Sequence, residues 1–409
     1  HPMNKPMNAC ALCGQCTVIC PNGFDMSQVC KSARENMVST DKMPLAPHEF
    51  ALMDMLFSNS EAFLSRLQPG YETCRYVFFP GCQAGAIAPD VVMQAYEDLS
   101  NRVAGGVALM LGCCGAISEW AGRYEMTEKV NEQLKQELAR LGDPIIIAGC
   151  PSCMKQLKES IGAHVIGIWE ILREIGLPQQ AKGLEIPVAI HDACGARGDA
   201  QTQDTIRQLL SDMGCIVEDT EYSRDLSPCC GYGGLTAYAN KDMAAKMTEK
   251  CLERSDAPYI TYCMACRDRF AREGRESRHI MELLYGANAS NMPDISEKRY
   301  NRLILKQTLL KNIWNEEPIM EKKDYTVAYT EEAIHMMDER MILKSDVERV
   351  LSDYRENQEA ILDEETKELV TRSRLGNVTF WVRFVETEDG YLVHRAYSHR
   401  MNIMKRVGQ

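Results

Sequence analysis

Five cysteines in a fixed frame occur twice in this chain. Cys82 leads, the doublet Cys113-Cys114-Gly115 follows after thirty intervening residues, and Cys150 and Cys153 close the frame as a C-x2-C. Cys194, Cys229-Cys230-Gly231, Cys263 and Cys266 repeat that order, and corresponding landmarks lie about 110 residues apart. Two sets in one register mark an internal duplication, and the fold has to bring five thiols together in each half. A disulfide framework needs an oxidising compartment and suits small secreted domains. This chain has 409 residues, and its first residues, His1-Pro2-Met3-Asn4-Lys5, carry no apolar signal-peptide core. Cysteines in C-x2-C units of a cytoplasmic-looking protein are more often metal ligands than disulfide partners. Metal binding is therefore expected, in a cytoplasmic setting.

Charge narrows the partners. The formal net charge of -12 and a pI near 5.3 argue against nucleic acid and against a bare anionic membrane surface. No apolar run approaches the roughly 20 residues that a membrane span needs.

A third cysteine group opens the chain: Cys10-x2-Cys13-x2-Cys16-x3-Cys20-Pro21. This is the local spacing of a bacterial ferredoxin, proline included. Thiolates two residues apart on a tight turn reach different irons of one cluster, and Gly14 lets backbone amides face the sulfurs. A four-cysteine zinc site is the rival. In two-cluster ferredoxins the fourth cysteine serves the other cluster, and no second run exists here. Cys20 closes the same cluster, or Cys30 joins it, or a companion comes from elsewhere.

Between these groups the pattern predicts the fold. Helices are expected over about Met26–Met37, before Pro44 and Pro47, and over about His48–Leu67, stopped near Pro69-Gly70. Phe50, Met53, Leu56 and Phe57 form the expected core face of the second helix. The runs Tyr76–Phe79, Val107–Leu111 and Ile145–Ala148 read as buried parallel strands. Each delivers a cysteine at its carboxyl end, the edge where sites assemble in open α/β sheets. Val188–His191 and Tyr259–Tyr262 repeat the plan before Cys194 and Cys263. The fold class expected is α/β: two duplicated units, a mainly helical ferredoxin-like segment before them and a small α+β module after them. The expected boundaries are 1–72 for the iron–sulfur segment, 73–180 and 181–290 for the two units, 291–323 for a linker and 324–409 for the module. In the module, helices are expected over Thr330–Leu343 and from a capping box at Ser345 and Glu348. A hairpin is expected around Glu388-Asp389-Gly390. His394 and His399 are weak metal candidates there, and docking or regulation is the plainer role.

A cubane four-iron cluster needs four thiolates, so five per set is one too many. Cys113 and Cys114 suit neighbouring irons, or one sulfur bridging two, or a spare reactive thiol. The frame around Cys82, Cys113, Cys114, Cys150 and Cys153, repeated at Cys194, Cys229, Cys230, Cys263 and Cys266, resembles the CCG cysteine-rich domain. The tandem pair is similar to the catalytic B subunit of heterodisulfide reductase. With the ferredoxin run the layout resembles the D subunit, over roughly residues 8–290, although that family usually has two such runs.

The resemblance implies a noncubane [4Fe-4S] cluster in each set, with all five cysteines as ligands and a disulfide cleaved or formed between them. Electrons would come through a ferredoxin-type [4Fe-4S] cluster on Cys10, Cys13, Cys16 and Cys20. A flavoprotein or ferredoxin-type donor subunit in a hetero-complex and a thiol or disulfide substrate follow from the same resemblance. A pure electron-relay subunit is the competing function, and zinc in the sets is a third possibility. Cys74, Cys215 and Cys251 read as small buried hydrophobes. His191 and Asp192 beside Cys194 are candidates for proton delivery, with a structural role favoured. Gly81, Gly112 and Gly149 are expected to bring backbone close to sulfur.

Overall fold

Leu64–Arg66 (β1), Tyr76–Phe79 (β2), Val107–Leu111 (β3), Ile145–Ala148 (β4) and Val165–Gly167 (β5) form one sheet in the order β1-β3-β2-β4-β5. The computed structural model describes residues 2–43, 47–287, 292–317, 324–375 and 378–399. β2 to β5 run parallel, and β1 joins the edge antiparallel to β3. β2 and β3 are buried at every position. Only a sheet covered on both faces can hide such uninterrupted apolar runs. Pro89–Arg102 is one of the covering helices. Pro89 starts it at the position where a missing N–H costs nothing, and Val91, Val92, Ala95, Tyr96 and Leu99 are its buried face.

The second repeat follows the same plan. Val188–His191 (β6), Val217–Asp219 (β7), Tyr259–Thr261 (β8) and Ser277–His279 (β9) are parallel in the order β7-β6-β8-β9, matching β3-β2-β4-β5. The two halves share one hydrophobic core. They meet reciprocally. The helix Pro151–Ile161 of the first lies against the turn Cys194–Ala196 of the second, and the helix Met264–Arg272 of the second lies against the helix Cys82–Ile87 of the first.

Several expectations are corrected. The helix expected over His48–Leu67 spans Glu49–Ser58, and its continuation becomes the edge strand β1. Its buried face is Ala51, Leu52, Met55 and Phe57, while Met53 and Leu56 are exposed. The core approaches this helix from the Ala51 side, which accepts small residues.

The connecting stretch, read as containing some helix, holds the helix Ile295–Trp314. From Tyr300 it belongs to the same compact unit as the two repeats. Leu305 and Leu309 are buried, Asn301 donates to the Ala86 carbonyl and Trp314 donates to the Leu67 carbonyl. His1, Pro44, residues 288–291 at the junction of the second domain and the linker, linker residues 318–323 and the end of the chain beyond His399 lie outside the described residues.

The second compact unit takes in Pro293–Arg299 and the residues from 324 on. Thr326–Tyr329 (β10), Ile361–Leu362 (β11), Leu369–Leu375 (β12), Val378–Thr387 (β13) and Gly390–His399 (β14) form a sheet in the order β10-β14-β13-β12-β11. β13 and β14 make the expected hairpin. The helices are Glu331–Arg340 and Lys344–Asn357. The second is opened by Asp346, whose carboxylate accepts from the Leu343 N–H, instead of by Ser345 and Glu348. Val347, Val350, Leu351 and Tyr354 pack on Val382, Phe384 and Tyr391 as a separate core. His394 pairs with Glu368, and His399 lies beside Trp381.

Candidate metal centre

Every cysteine of the two sets sits where a strand or turn hands the chain to a helix or a tight turn. Cys82 begins a helix directly after β2, and Cys150 and Cys263 occupy the N-cap positions of Pro151–Ile161 and Met264–Arg272. Helix N-termini offer unpaired amides and a positive dipole end, which favour thiolate over thiol. The doublets follow β3 and the longer loop after β7. Asn59 clamps the first, accepting from the Cys113 N–H at 2.7 Å and donating to its carbonyl at 3.1 Å. Thr248 and the Cys251 thiol hold the carbonyls of Cys230 and Cys229 in the second.

The thiols form one row. In the first set, Cys82 neighbours Cys113, Cys113 neighbours Cys114, Cys114 neighbours Cys153 and Cys153 neighbours Cys150. In the second, Cys263 meets Cys266, the Cys266 Sγ lies 3.2 Å from the Cys230 Sγ, Cys230 meets Cys229, and Cys229 meets Cys194. Cys150 and Cys263 join the sets to each other. Among the described residues, no three His, Cys, Asp or Glu side chains converge as around a single ion. The sulfurs are strung out instead, an arrangement in which each can reach a different metal atom.

The row has an acid–base pattern. Hydrogen bonds from Cys113 and Cys153 lower the Cys114 pKa to about 6, and bonds from Cys229 and Cys266 hold Cys230 well below the ordinary thiol range. Their neighbours are pushed up, Cys113 chiefly by Cys114, and Cys229 chiefly by Cys13, then by Cys194 and Cys230. The second cysteine of each doublet is thus the favoured thiolate. Cys150 is also held low, by Cys153 and Cys263. Backbone amides add to this: Gly231 N–H lies 3.3 Å from the Cys229 sulfur, and amides of Ala116 and Tyr232 face Cys114 and Cys230.

The N-terminal run is placed differently. Cys13 meets Cys229, which together with its neighbouring amide and Arg197 lowers its pKa to about 6. Cys10, pushed up to about 11 mainly by burial, meets Cys30. Cys16 is exposed. Cys20 is held below its usual value by the amides of Phe24, Asn22 and Gly23, so its partners are N–H groups and not thiols. The run docks on the second repeat through Arg197, which donates to the carbonyls of Cys13 and Ser227. The structure thus brings Cys10 to Cys30 and Cys13 to the second set, without drawing Cys20 to either.

Residues beyond the cysteines complete the site. Pro80, Gly81, Trp120, Tyr232 and Met264 line a cavity together with all five first-set cysteines and Cys263. Tyr232 is hydrogen-bonded to Tyr238 and lies edge-on to Trp120. Gly81, at φ 89°, holds a backbone conformation that side-chain-bearing residues rarely adopt, and a Cβ there would press on the Cys153 sulfur at 3.3 Å. A Cβ on Gly112 would meet Asn59 and Phe63, and one on Gly149 would lie 2.9 Å from the Pro80 carbonyl oxygen, so both positions are closely packed next to their cysteines. Burial would raise the Asp192 pKa, but Arg207, the Arg224 amide and the Tyr262 hydroxyl hold it low, so Asp192 is a structural anchor. Burial keeps the His191 pKa low against the pull of Cys230, and its ring lies edge-on to Phe270. Cys74, Cys215 and Cys251 are buried as expected.

Fold and site together define a tandem cysteine-rich protein: the chain carries two CCG cysteine-rich domains, matched over residues 76–158 and 188–270. The chain is 24% identical over 278 residues to an uncharacterised iron–sulfur protein of Methanococcus maripaludis, covering 63% of this chain and about half, 55%, of that relative's length. It is 22% identical over 308 residues to the D subunit of the dihydromethanophenazine:CoB–CoM heterodisulfide reductase of Methanosarcina acetivorans, covering 66% of this chain and 73% of the relative. The corresponding protein of Methanosarcina mazei is 21% identical over 303 residues, with the same shares. No solved structure is a significant match. No helix among the described residues is long and apolar enough to cross a membrane.

Proposed function

We propose that this chain is an iron–sulfur oxidoreductase subunit that cleaves or forms a disulfide between two clusters, one held by each five-cysteine set. The observation that carries this reading is the unbroken row of thiols from Cys82 to Cys194, joined at Cys150 and Cys263. The donor set fits the group: ten cysteines with amides directed at their sulfurs, and a low-pKa thiolate in each doublet. Bound noncubane [4Fe-4S] clusters would supply electrons and irons able to capture sulfur. The protein's own part is to hold Cys82, Cys113, Cys114, Cys150 and Cys153 opposite Cys194, Cys229, Cys230, Cys263 and Cys266. Trp120, Tyr232 and Met264 give the gap apolar walls, which keep water from the reacting sulfurs.

Reduction of R–S–S–R′ takes two electrons and two protons and yields two thiols; oxidation reverses this. Electrons would come from a flavoprotein or ferredoxin-type partner in a hetero-complex, by way of a ferredoxin-type [4Fe-4S] cluster on Cys10, Cys13, Cys16 and Cys20. Cys30, beside Cys10, is a further candidate ligand.

Anaerobic metal analysis should find about twelve irons per chain if three four-iron clusters are present. Stoichiometric zinc in the CCG sets would sink the redox reading. The row of thiols also suits an electron relay without substrate, so the paramagnetic signals should be recorded with and without 2-mercaptoethanol and other simple thiols. A signal that changes favours catalysis, and indifference to every thiol favours the relay. Cys114→Ser and Cys230→Ser should each disturb one cluster signal and leave the other repeat folded. Unaltered spectra in both variants would refute the assignment of the doublets as ligands.

A further inference from the structure

Arg302 comes from the helix of the connecting stretch, yet it reaches the first cysteine set. It is buried, donates through Nε to the Cys82 carbonyl at 2.9 Å, and forms an ion pair through Nη1 with Asp54 at 2.8 Å. The helix is held close to the Cys82 turn: a Cβ on Gly85 would lie 3.2 Å from Leu305 Cδ2. The second set has a buried arginine of its own: Arg267, next to Cys266, pairs with Glu282 at 3.3 Å. Arg197, half-buried beside the leading Cys194 turn, spends its donors on the carbonyls of Cys13, Asp225 and Ser227.

We propose that Arg302 is a positioning residue of the first cysteine set: gripped by Asp54, it fixes the turn that carries Cys82 and places a buried positive charge that makes this set easier to reduce. The proposal rests on the reading that the first set holds a reducible iron–sulfur cluster. A buried, weakly screened cation stabilises the added electron more than an exposed one does. Each reduction adds one electron to the set, and Arg302 neither makes nor breaks a bond.

The test is a mediated reductive titration of the anaerobically purified full chain, followed by electron paramagnetic resonance. The first-set signal is identified as the one lost in Cys82→Ser. Arg302→Met should lower its midpoint so that, at the original midpoint, the ratio of reduced to oxidised cluster falls at least tenfold, about 59 mV for a one-electron step. The second-set signal should not move. Arg302→Lys should restore most of the shift, and Asp54→Asn should move the same signal upward. Intact iron with an unmoved first-set midpoint, or both signals moving together, would overturn the proposal. If Arg302→Met does not fold, Asp54→Asn decides, and an unmoved midpoint there overturns it. Iron missing from the first set of the unaltered protein would instead defeat the underlying reading of that set.

Discussion

Arg34→Met is expected to release the N-terminal segment from the cysteine-rich domains and to destabilise the protein by roughly 4–6 kcal/mol. Arg34 is fully buried, yet no carboxylate accounts for its placement. Its guanidinium donates to the carbonyls of Met7, Cys10, Trp120 and Gly234, at 2.6–3.1 Å. Those carbonyls belong to the N-terminal run, to the first repeat and to the second. One planar fork therefore ties three parts of the chain together. Methionine fills similar space but strands four buried acceptors, each costing about 1–3 kcal/mol. Arg34→Lys keeps the charge but cannot reach all four carbonyls, so it should recover only part of the loss. Denaturant midpoints and limited proteolysis read by mass spectrometry would check this. An unchanged midpoint, or an N-terminal segment no more easily cleaved than before, would contradict it.

The second large effect is expected at the seam between the repeats. A Cβ on Gly195 would lie 2.6 Å from the Ser152 amide nitrogen and 2.9 Å from the Pro151 carbonyl carbon. These are backbone atoms in the first turn of the helix Pro151–Ile161, and they cannot rotate away. Gly195→Val must push the repeats apart where the two sets touch, at a cost of about 1–3 kcal/mol or more for overpacking. The magnetic interaction between the two CCG clusters should weaken, with Gly195→Ala intermediate and the circular dichroism of each repeat retained. A valine variant with the original stability and an unaltered interaction would show that the seam is not close-packed.

Much of the fold is legible in the sequence because apolar runs and cysteine spacing report locally. Tyr76–Phe79, Val107–Leu111 and Ile145–Ala148 can be read as buried strands from their composition, and the doublets mark the loops they lead into. The strands β7 and β9 escape such a reading, since three-residue strands such as Val217–Asp219 and Ser277–His279 carry polar residues and no period. Arg34 and Arg302 escape it for another reason. A lone arginine on an apolar helix face looks like solvent-facing charge unless its neighbours at helical spacing are considered. Cys30, Arg34 and Met37 share one buried stripe, and Arg302 shares another with Leu305 and Leu309. The signal is present in the spacing, but the carbonyls that those arginines serve come from distant segments and leave no trace near them.

The reciprocal seam, in which each C-x2-C helix rests on the leading cysteine of the other repeat, has the form of an isologous contact, the kind two identical subunits make around a twofold axis. A single-domain ancestor could have assembled a complete pair of sets simply by dimerising, with both halves obliged to stay alike. Joining the halves in one chain removes that obligation. Arg302 can then serve one set alone and the N-terminal run the other, so that a symmetric pair of sites acquires a front and a back.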